Sequence, residues 1–385
     1  MLLAFAATLL VAVMLSGVAH RSVLSTAVLF LIVGYAIGNG ALGLVEVQPD
    51  ESAVTILAEL ALFSVLFTDG MRAGMRDIRA AWHLPGRALL LGMPITLLLT
   101  ALGARALLGY SWTVSFLVGA ALSPTDPVFA AAIVGREDVP YRLRHLLNVE
   151  SGLNDGIALP IVVVLIALAG GGGEGVSTVL LELVAGVALG IALPVAALWL
   201  ERSSFLAPSI AYEPLNAFAI GLLVLAVSLV TRANAFLAAF AAGMTVASVG
   251  PAVRQAFARF GDLITELLKL AALMVFGVAV PFGILLHSSG AAYAFTALVL
   301  LVVRPIAIGL SLIGTKIDRR EWIAAAWFGP KGFASVIYGL LILAGGITDG
   351  EEVFAVIALV ITISIVAHSS TDILVARWLR VRDAS

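Results

Sequence analysis

Long apolar segments, separated by short polar connections, run along the whole chain. A helix needs about 20 mainly apolar residues to cross a bilayer, and segments of this kind recur throughout the sequence. The pattern predicts an all-α polytopic membrane protein with thirteen transmembrane helices. The predicted spans are residues 2–18, 22–38, 53–69, 88–108, 112–134, 144–169, 177–200, 211–230, 234–249, 262–286, 291–313, 321–345 and 352–370.

Composition supports a membrane protein. Hydrophobic residues make up 61% of the chain and charged residues 12%, whereas soluble domains are about half apolar and about a quarter charged. There is no cysteine, which excludes a disulfide framework and thiol chemistry. No run of basic residues points to nucleic acid, so the lipid bilayer is the expected environment.

The first apolar segment is predicted to remain in the protein. Residues 1–18 lack the basic stretch that precedes the apolar run of a cleaved signal peptide. Few residues follow the last predicted span, so we expect no cytoplasmic regulatory domain there.

The basic residues predict the orientation. Of the 22 Lys and Arg residues, seventeen lie in alternate connections, counted from the first and including the segment after the last span. The other connections hold only Arg232, and Arg105 lies at a helix end. The remaining three basic residues lie within spans: Lys269, Arg304 and Lys331. Because positive charge concentrates on the cytoplasmic side, we expect the N-terminus outside and the C-terminus inside a cell inner membrane.

Two polar stretches interrupt the apolar pattern. Residues 123–127, Ser-Pro-Thr-Asp-Pro, place two prolines and Asp126 within the fifth span, where the prolines should unwind the helix. Residues 150–156, Glu-Ser-Gly-Leu-Asn-Asp-Gly, place two carboxylates in the sixth span. A charge at the bilayer centre costs roughly 2.5–3.5 kcal/mol on insertion scales, so such residues favour a functional site over structural polar contacts between helices, which is the alternative.

The spacing in the sixth span separates two roles. Ser151 and Asp155 are four residues apart and share one helical face. Glu150 and Asn154 share another face, about 100° away. One helix can therefore offer a carboxylate and a hydroxyl to an ion while it presents a second carboxylate to a neighbouring helix.

The available ligands are hard oxygen donors. The broken fifth span offers Asp126, the Thr125 hydroxyl and backbone carbonyls that unwinding releases. Together with Asp155 and Ser151 they suit Na⁺, Li⁺ or K⁺ better than a soft metal.

An internal repeat relates two halves of the chain. A second interruption, Gly-Pro-Lys-Gly at 329–332, follows the first by 206 residues, from Pro124 to Pro330. The same shift carries the starts of spans 1, 3 and 4 close to those of spans 8, 10 and 11. Spans 1–6 and 8–13 are therefore predicted to be two inverted six-helix repeats with crossing broken helices, a pattern typical of secondary transporters.

These motifs resemble those of the cation:proton antiporter 1 family, the sodium/proton antiporters of the NhaP type and their animal exchanger relatives. The similarity rests on Thr-Asp-Pro at 125–127 and Glu-Ser-x-x-Asn-Asp-Gly at 150–156, and it extends over essentially the whole chain. It implies that Asp155 binds a cation or a proton in competition. It also implies that the site is completed by Thr125, Asp126, Ser151 and, from a looser motif in the third span, Asp69.

The resemblance assigns further roles. It implies that Glu150 pairs structurally with Arg304 in the eleventh span. Asn154 stands where electrogenic relatives have a second aspartate, and Lys331 stands where family members often have arginine. Lys331 is expected to offset the charge of the helix ends at the crossing, and it could hold Asp126 ionised.

The function expected is an electroneutral antiporter that exchanges a monovalent cation for a proton by alternating access, without a cofactor. By resemblance, residues 88–176 and 290–385 form the moving core, and residues 1–87 and 177–289 form a scaffold through which a homodimer assembles. The alternatives are a sodium-coupled organic-solute symporter and an intramembrane enzyme. The enzyme is disfavoured because the chain has neither a D-D-x-x-D nor a G-x-S-G motif.

Other ionisable residues receive structural interpretations. Glu266 and Lys269 are three residues apart, which suggests an ion pair or snorkelling side chains near the end of the tenth span. His368 is interpreted as a hydrogen-bonded structural histidine, with pH sensing as the alternative.

Overall fold

The structure is a computed structural model that describes residues 1–19, 26–38, 41–45, 52–72, 84–126, 139–170, 175–201, 209, 212–280 and 287–380. Within these ranges the regular structure is helical. In chain order the helices are α1 (Leu2–Ala19), α2 (Thr26–Ile37), α3 (Ser52–Arg72), α4 (Pro85–Leu108), α5 (Trp112–Ala121), α6 (Tyr141–Leu168), α7 (Val176–Leu200), α8 (Glu213–Thr231), α9 (Ala235–Val249), α10 (Pro251–Ala279), α11 (Gly290–Ser311), α12 (Arg319–Trp327), α13 (Phe333–Ala344) and α14 (Gly350–Arg380).

Six of these helices are long and apolar enough to cross a membrane: α4, α6, α7, α8, α11 and the apolar part of α14. Shorter apolar helices accompany them, among them α2, α5, α9 and α13. The chain is therefore an all-α polytopic membrane protein.

Several helices extend beyond the apolar segments that predicted them. α10 begins at Pro251 instead of residue 262, and α14 continues to Arg380 instead of residue 370. Proline at the first turn suits a helix start because its missing donor is not needed there. The predicted spans end at the first charged residues because the prediction uses hydropathy. The helices continue past these residues because their backbone hydrogen bonds do not depend on hydropathy. The predicted stretches 127–134 and 281–286 lie outside the described residues.

The helices pack in two groups. α3 lies against α9 and α10, α10 also packs on α2 and α8, and α7 packs on α9. In the other group α4 packs on α5 and α11, α5 on α6, and α13 on α14. The groups meet where α6 contacts α3, α7 and α9, where α13 contacts α3 and α10, and where α14 contacts α2. The polar residues of the fifth and sixth spans lie at this boundary.

Glycines bring α3 and α9 into direct backbone contact. A Cβ at Gly70 would meet the carbonyl oxygen of Phe240, and one at Gly243 would meet that of Phe67. Such small-residue contacts let helices approach closely in a bilayer, where packing drives association. The contact fixes the end of α3, where Asp69 lies next to Gly70.

We therefore expect Gly243→Ala to destabilise the protein by about 1–3 kcal/mol, the usual cost of overpacking. The measurement is the melting temperature of purified protein in detergent. Gly152→Ala is the matched control, because a Cβ at this helical position would meet nothing within 4 Å. An unchanged melting temperature for Gly243→Ala would contradict the backbone contact.

Candidate cation and proton site

The hydroxyl and amide groups predicted for the site form one connected set. The Thr125 and Ser151 hydroxyl oxygens lie 3.0 Å apart. The Asn154 amide donates to the Thr125 hydroxyl at 2.8 Å and to its backbone carbonyl at 3.2 Å. The unwound stretch after α5 is thereby attached to α6. All three side chains are buried.

Asp155 follows this set on α6 and is 7% exposed. Its Oδ1 is buried without a hydrogen-bond partner, as is the Oδ1 of Asn154. Its backbone carbonyl accepts a 2.7 Å hydrogen bond from Tyr338 of α13. A buried carboxylate oxygen without a partner is costly unless a proton or a cation satisfies it. Asp155 is therefore a group that can hold either one.

Asp126 closes the other side of the site. Its Oδ2 accepts a 3.1 Å hydrogen bond from the amide of Phe333, the first residue of α13. A helix N-terminus presents unsatisfied amides and the positive end of the dipole, both of which stabilise a carboxylate. Gly332 allows this approach, since a Cβ there would overlap the Asp126 side chain.

The two interrupted stretches touch each other. The Asp126 amide donates to the Pro330 carbonyl at 3.0 Å, and helix is absent at 328–332, between α12 and α13. Lys331 is 1% exposed, and its Nζ lies 3.5 Å and 3.4 Å from the carbonyl oxygens of Ser123 and Pro124. A positive charge at this position would offset the negative end of α5. Pro127, the second proline of the motif, lies outside the described residues.

The ammonium group beside Asp126 belongs to Lys269. Its Nζ lies 3.9 Å from Asp126 Oδ1, and the residue is 8% exposed. The interpretation of Lys269 as a local partner of Glu266 or a snorkelling side chain was therefore incomplete: the side chain points from α10 into the site. The signal available in the sequence was the cost of a lysine in the middle of an apolar span.

Asp69 reaches the edge of the same charge cluster. The carboxylates of Asp69, Asp126 and Asp155 are close enough to act on one another electrostatically. Asp69 also accepts a 3.2 Å hydrogen bond from Arg72, which donates at 2.7 Å to Asp262 of α10. Arg72 is half exposed, so the Asp69 carboxylate lies between the buried site and a wetter surface.

Glu150 and Arg304 lie apart from this cluster as a buried ion pair. Arg304 donates to both carboxylate oxygens of Glu150, with Nη2 2.9 Å from Oε2. Its remaining donors reach the carbonyls of Ala325 and Phe328 at 3.3 Å and 3.2 Å. These carbonyls belong to the end of α12, where the helix leaves them unsatisfied. The pair therefore connects α6, α11 and the interrupted helix.

His368 supports the interrupted stretch from α14. Its Nε2 lies 3.0 Å from the Trp327 carbonyl, and its Nδ1 lies 2.7 Å from the Ser364 carbonyl. The Ser364 hydroxyl accepts the Lys331 amide at 2.8 Å. These contacts fit the structural interpretation of this histidine.

The arrangement defines a class of protein. Carboxylates, hydroxyls and freed carbonyls converge inside a polytopic helical protein at an interrupted helix, as in secondary transporters. Within the part of the chain that the structure describes, no group of three or more His, Cys, Asp or Glu residues is placed to hold a metal ion.

The chain belongs to the sodium/hydrogen exchanger family: the model for "Sodium/hydrogen exchanger, transmembrane" matches residues 6–377. The resemblance to NhaP-type cation:proton antiporters is thereby confirmed. A K(+)/H(+) antiporter NhaP from Alkalimonas amylolytica is 27% identical over 91% of this chain and 62% of its own length. A K(+)/H(+) antiporter NhaP2 from Shewanella sp. (strain MR-4) is 26% identical over 96% of this chain and 65% of its own length. The chain thus spans less than two thirds of the length of these curated relatives.

The fold is similar to that of a solved transporter. The sodium proton antiporter MjNhaP1 from Methanocaldococcus jannaschii, whose structure was determined at pH 8, superposes with a TM-score of 0.79. The similarity covers 99% of this chain and 97% of MjNhaP1, at 18% sequence identity.

Proposed function

We propose that this chain is a membrane antiporter that exchanges a monovalent cation for a proton. The observation that carries the proposal is the buried Asp155 carboxylate, with an oxygen that has no hydrogen-bond partner, beside the polar set of Thr125, Ser151 and Asn154. A cation bound there displaces the proton and a proton displaces the cation. Opposite movements are coupled because one carboxylate serves both.

The cation is proposed to be an alkali metal ion. The ligands are oxygens of Asp155, Asp126, Ser151 and Thr125, which are hard donors. The curated relatives are named for K⁺ and the structural neighbour for sodium, so K⁺, Na⁺ and Li⁺ are all to be compared. The test is exchange in everted vesicles: each salt is added to a preformed proton gradient, and the loss of the gradient is followed by fluorescence. No response to any of the three would overturn the proposal.

We propose that alternating access is a movement of one helix group, the core, against the other, the scaffold. The core would comprise residues 88–176 and 290–385, and the scaffold residues 1–87 and 177–289, through which two copies form a homodimer. The full topology would be thirteen spans in two inverted repeats, with crossing broken helices, the N-terminus outside and the C-terminus in the cytoplasm of an inner membrane. The contacts within each helix group, and the position of the candidate site where α6 and α13 meet the other group, support this division.

Exchange is expected to be electroneutral. Lys269 lies beside Asp126 and α13 presents its N-terminus to the same carboxylate, so we propose that Asp155 alone alternates between proton and cation. One proton then replaces one cation. Because no net charge moves, a membrane potential, worth about 2.3 kcal/mol per charge per 100 mV, should not bias the rate.

The measurement uses liposomes that contain the purified protein, with sodium as the transported cation and a potential imposed by valinomycin and a potassium gradient. The same gradient without valinomycin is the control for exchange of potassium itself. A sodium-dependent rate that changes severalfold with the imposed potential would show that a second group titrates.

A further inference from the structure

Lys269 enters the candidate site from outside the proposed core. It lies within α10, a scaffold helix in the proposed division, and its ammonium group lies 3.9 Å from Asp126 Oδ1, in the core. The Thr68 and Thr265 hydroxyls, 2.9 Å apart, hold α10 against α3 one turn before Lys269. The lysine is therefore a positive charge from one helix group that faces a carboxylate of the other.

Its charged surroundings are mostly acidic. Asp126 from the stretch after α5, Asp69 from α3 and Glu266 from α10 itself attract the ammonium group, and Arg72 from α3 repels it. Lys269 in turn acts on Asp155 from α6. The ammonium group thus lies in the same electrostatic cluster as the carboxylate proposed to carry the cation.

The contact of Lys269 with Asp126 is loose. A distance of 3.9 Å is longer than the 2.7–3.2 Å of a formed N–H···O hydrogen bond. The other oxygen of Asp126 is held by the amide of Phe333, so Oδ1 is the oxygen that faces Lys269. The ammonium group can therefore retreat along its flexible four-carbon stem without breaking a short hydrogen bond.

We propose that Lys269 is a tethered competitor of the transported cation, and that it sets the cation affinity of the site. The inference rests on the proposed antiport. In the site without a transported cation, the ammonium group neutralises Asp126. A cation that binds between Asp126 and Asp155 brings a second positive charge close to the Lys269 ammonium group. Because the two charges repel, the lysine must move away.

The consequence is a site tuned to weak binding. Without the lysine charge, the carboxylates attract any cation more strongly, protons included. The concentration of Na⁺ or K⁺ for half-maximal exchange should then fall about tenfold at alkaline pH, within the roughly 5–150-fold range usual when one bound group changes the affinity for another. The pH below which protons suppress exchange should rise, because the proton also meets a more negative site.

The test compares Lys269→Gln with Lys269→Arg, which keeps the charge, in liposomes containing purified protein across a pH series. Lys316→Gln is the matched control, because Lys316 is an exposed lysine outside the site. We expect Lys269→Gln to lower the half-maximal cation concentration and to move the acid limit to higher pH. Lys269→Arg keeps the charge, so both quantities should stay closer to wild type than in Lys269→Gln, and Lys316→Gln should keep wild-type values. A purely structural role would not produce these two opposite shifts together.

Several results would overturn the proposal. One is a half-maximal concentration for Lys269→Gln within twofold of wild type, or above it. If Lys269→Gln does not fold, Lys269→Met, which keeps the stem length, takes its place. Failure of both neutral variants to fold, while Lys269→Arg folds, would show a structural ion pair instead. Absence of cation-dependent proton movement in the wild type would instead contradict the proposed antiport.

Discussion

Asp155→Asn is expected to abolish cation/proton exchange while the protein remains folded. Asparagine keeps the shape of the side chain and is neutral, so it removes a buried charge instead of adding one. It cannot release a proton when a cation arrives, and it offers the cation no negative charge. Exchange should fall to the level of vesicles without the protein.

The assay is the loss of a proton gradient in everted vesicles with matched amounts of protein. Asp349→Asn is the control, because Asp349 is an exposed aspartate in the turn before α14. The melting temperature in detergent shows whether the variant is folded. Normal exchange by well-expressed Asp155→Asn protein would remove Asp155 from its proposed role.

Loss of either partner of the Glu150–Arg304 pair is expected to destabilise the protein. Both residues are nearly inaccessible, at 3% and 4% exposure, so Glu150→Ala or Arg304→Ala leaves an unpaired buried charge at a cost of roughly 3–5 kcal/mol. Arg304→Ala also frees the carbonyls of Ala325 and Phe328 at the end of α12. Expression and melting temperature should fall more than cation affinity.

A double variant, Glu150→Leu with Arg304→Met, provides a sharp comparison. Replacing both partners of a buried pair by apolar residues is often neutral or stabilising, so the double variant should be more stable than either single alanine variant. Arg232→Ala serves as the control at an exposed arginine. A stable Glu150→Ala protein with weakened cation binding would instead place Glu150 in the cation site.

The sequence predicts that helices end near the two proline motifs, because proline acts on its own turn of helix, and α5 and α12 do end just before them. Prolines at 124 and 330 interrupt helices whatever surrounds them. The four-residue spacing of Ser151 and Asp155 follows from helix geometry alone. The contact between Thr125 and Asn154, by contrast, requires the unwound stretch to lie across α6, which spacing does not specify.

The cation beside Asp126 could not be assigned from the sequence. Lys331 is adjacent in the crossing motif and was the natural candidate, whereas Lys269 comes from a different helix. Its position depends on the rotation of α10, which the contact between Thr68 and Thr265 helps to fix. The three-residue spacing to Glu266 suggested a local pair, and only tertiary packing shows that the side chain faces Asp126.

The competition between proton and cation at one carboxylate is tested most directly by the pH dependence of exchange. The measurement is the half-maximal cation concentration of purified wild-type protein in liposomes, at a series of pH values. If one proton competes with one cation, this concentration should rise about tenfold for each unit of falling pH on the acid side, with the maximal rate unchanged. A half-maximal concentration that does not depend on pH would contradict a shared site.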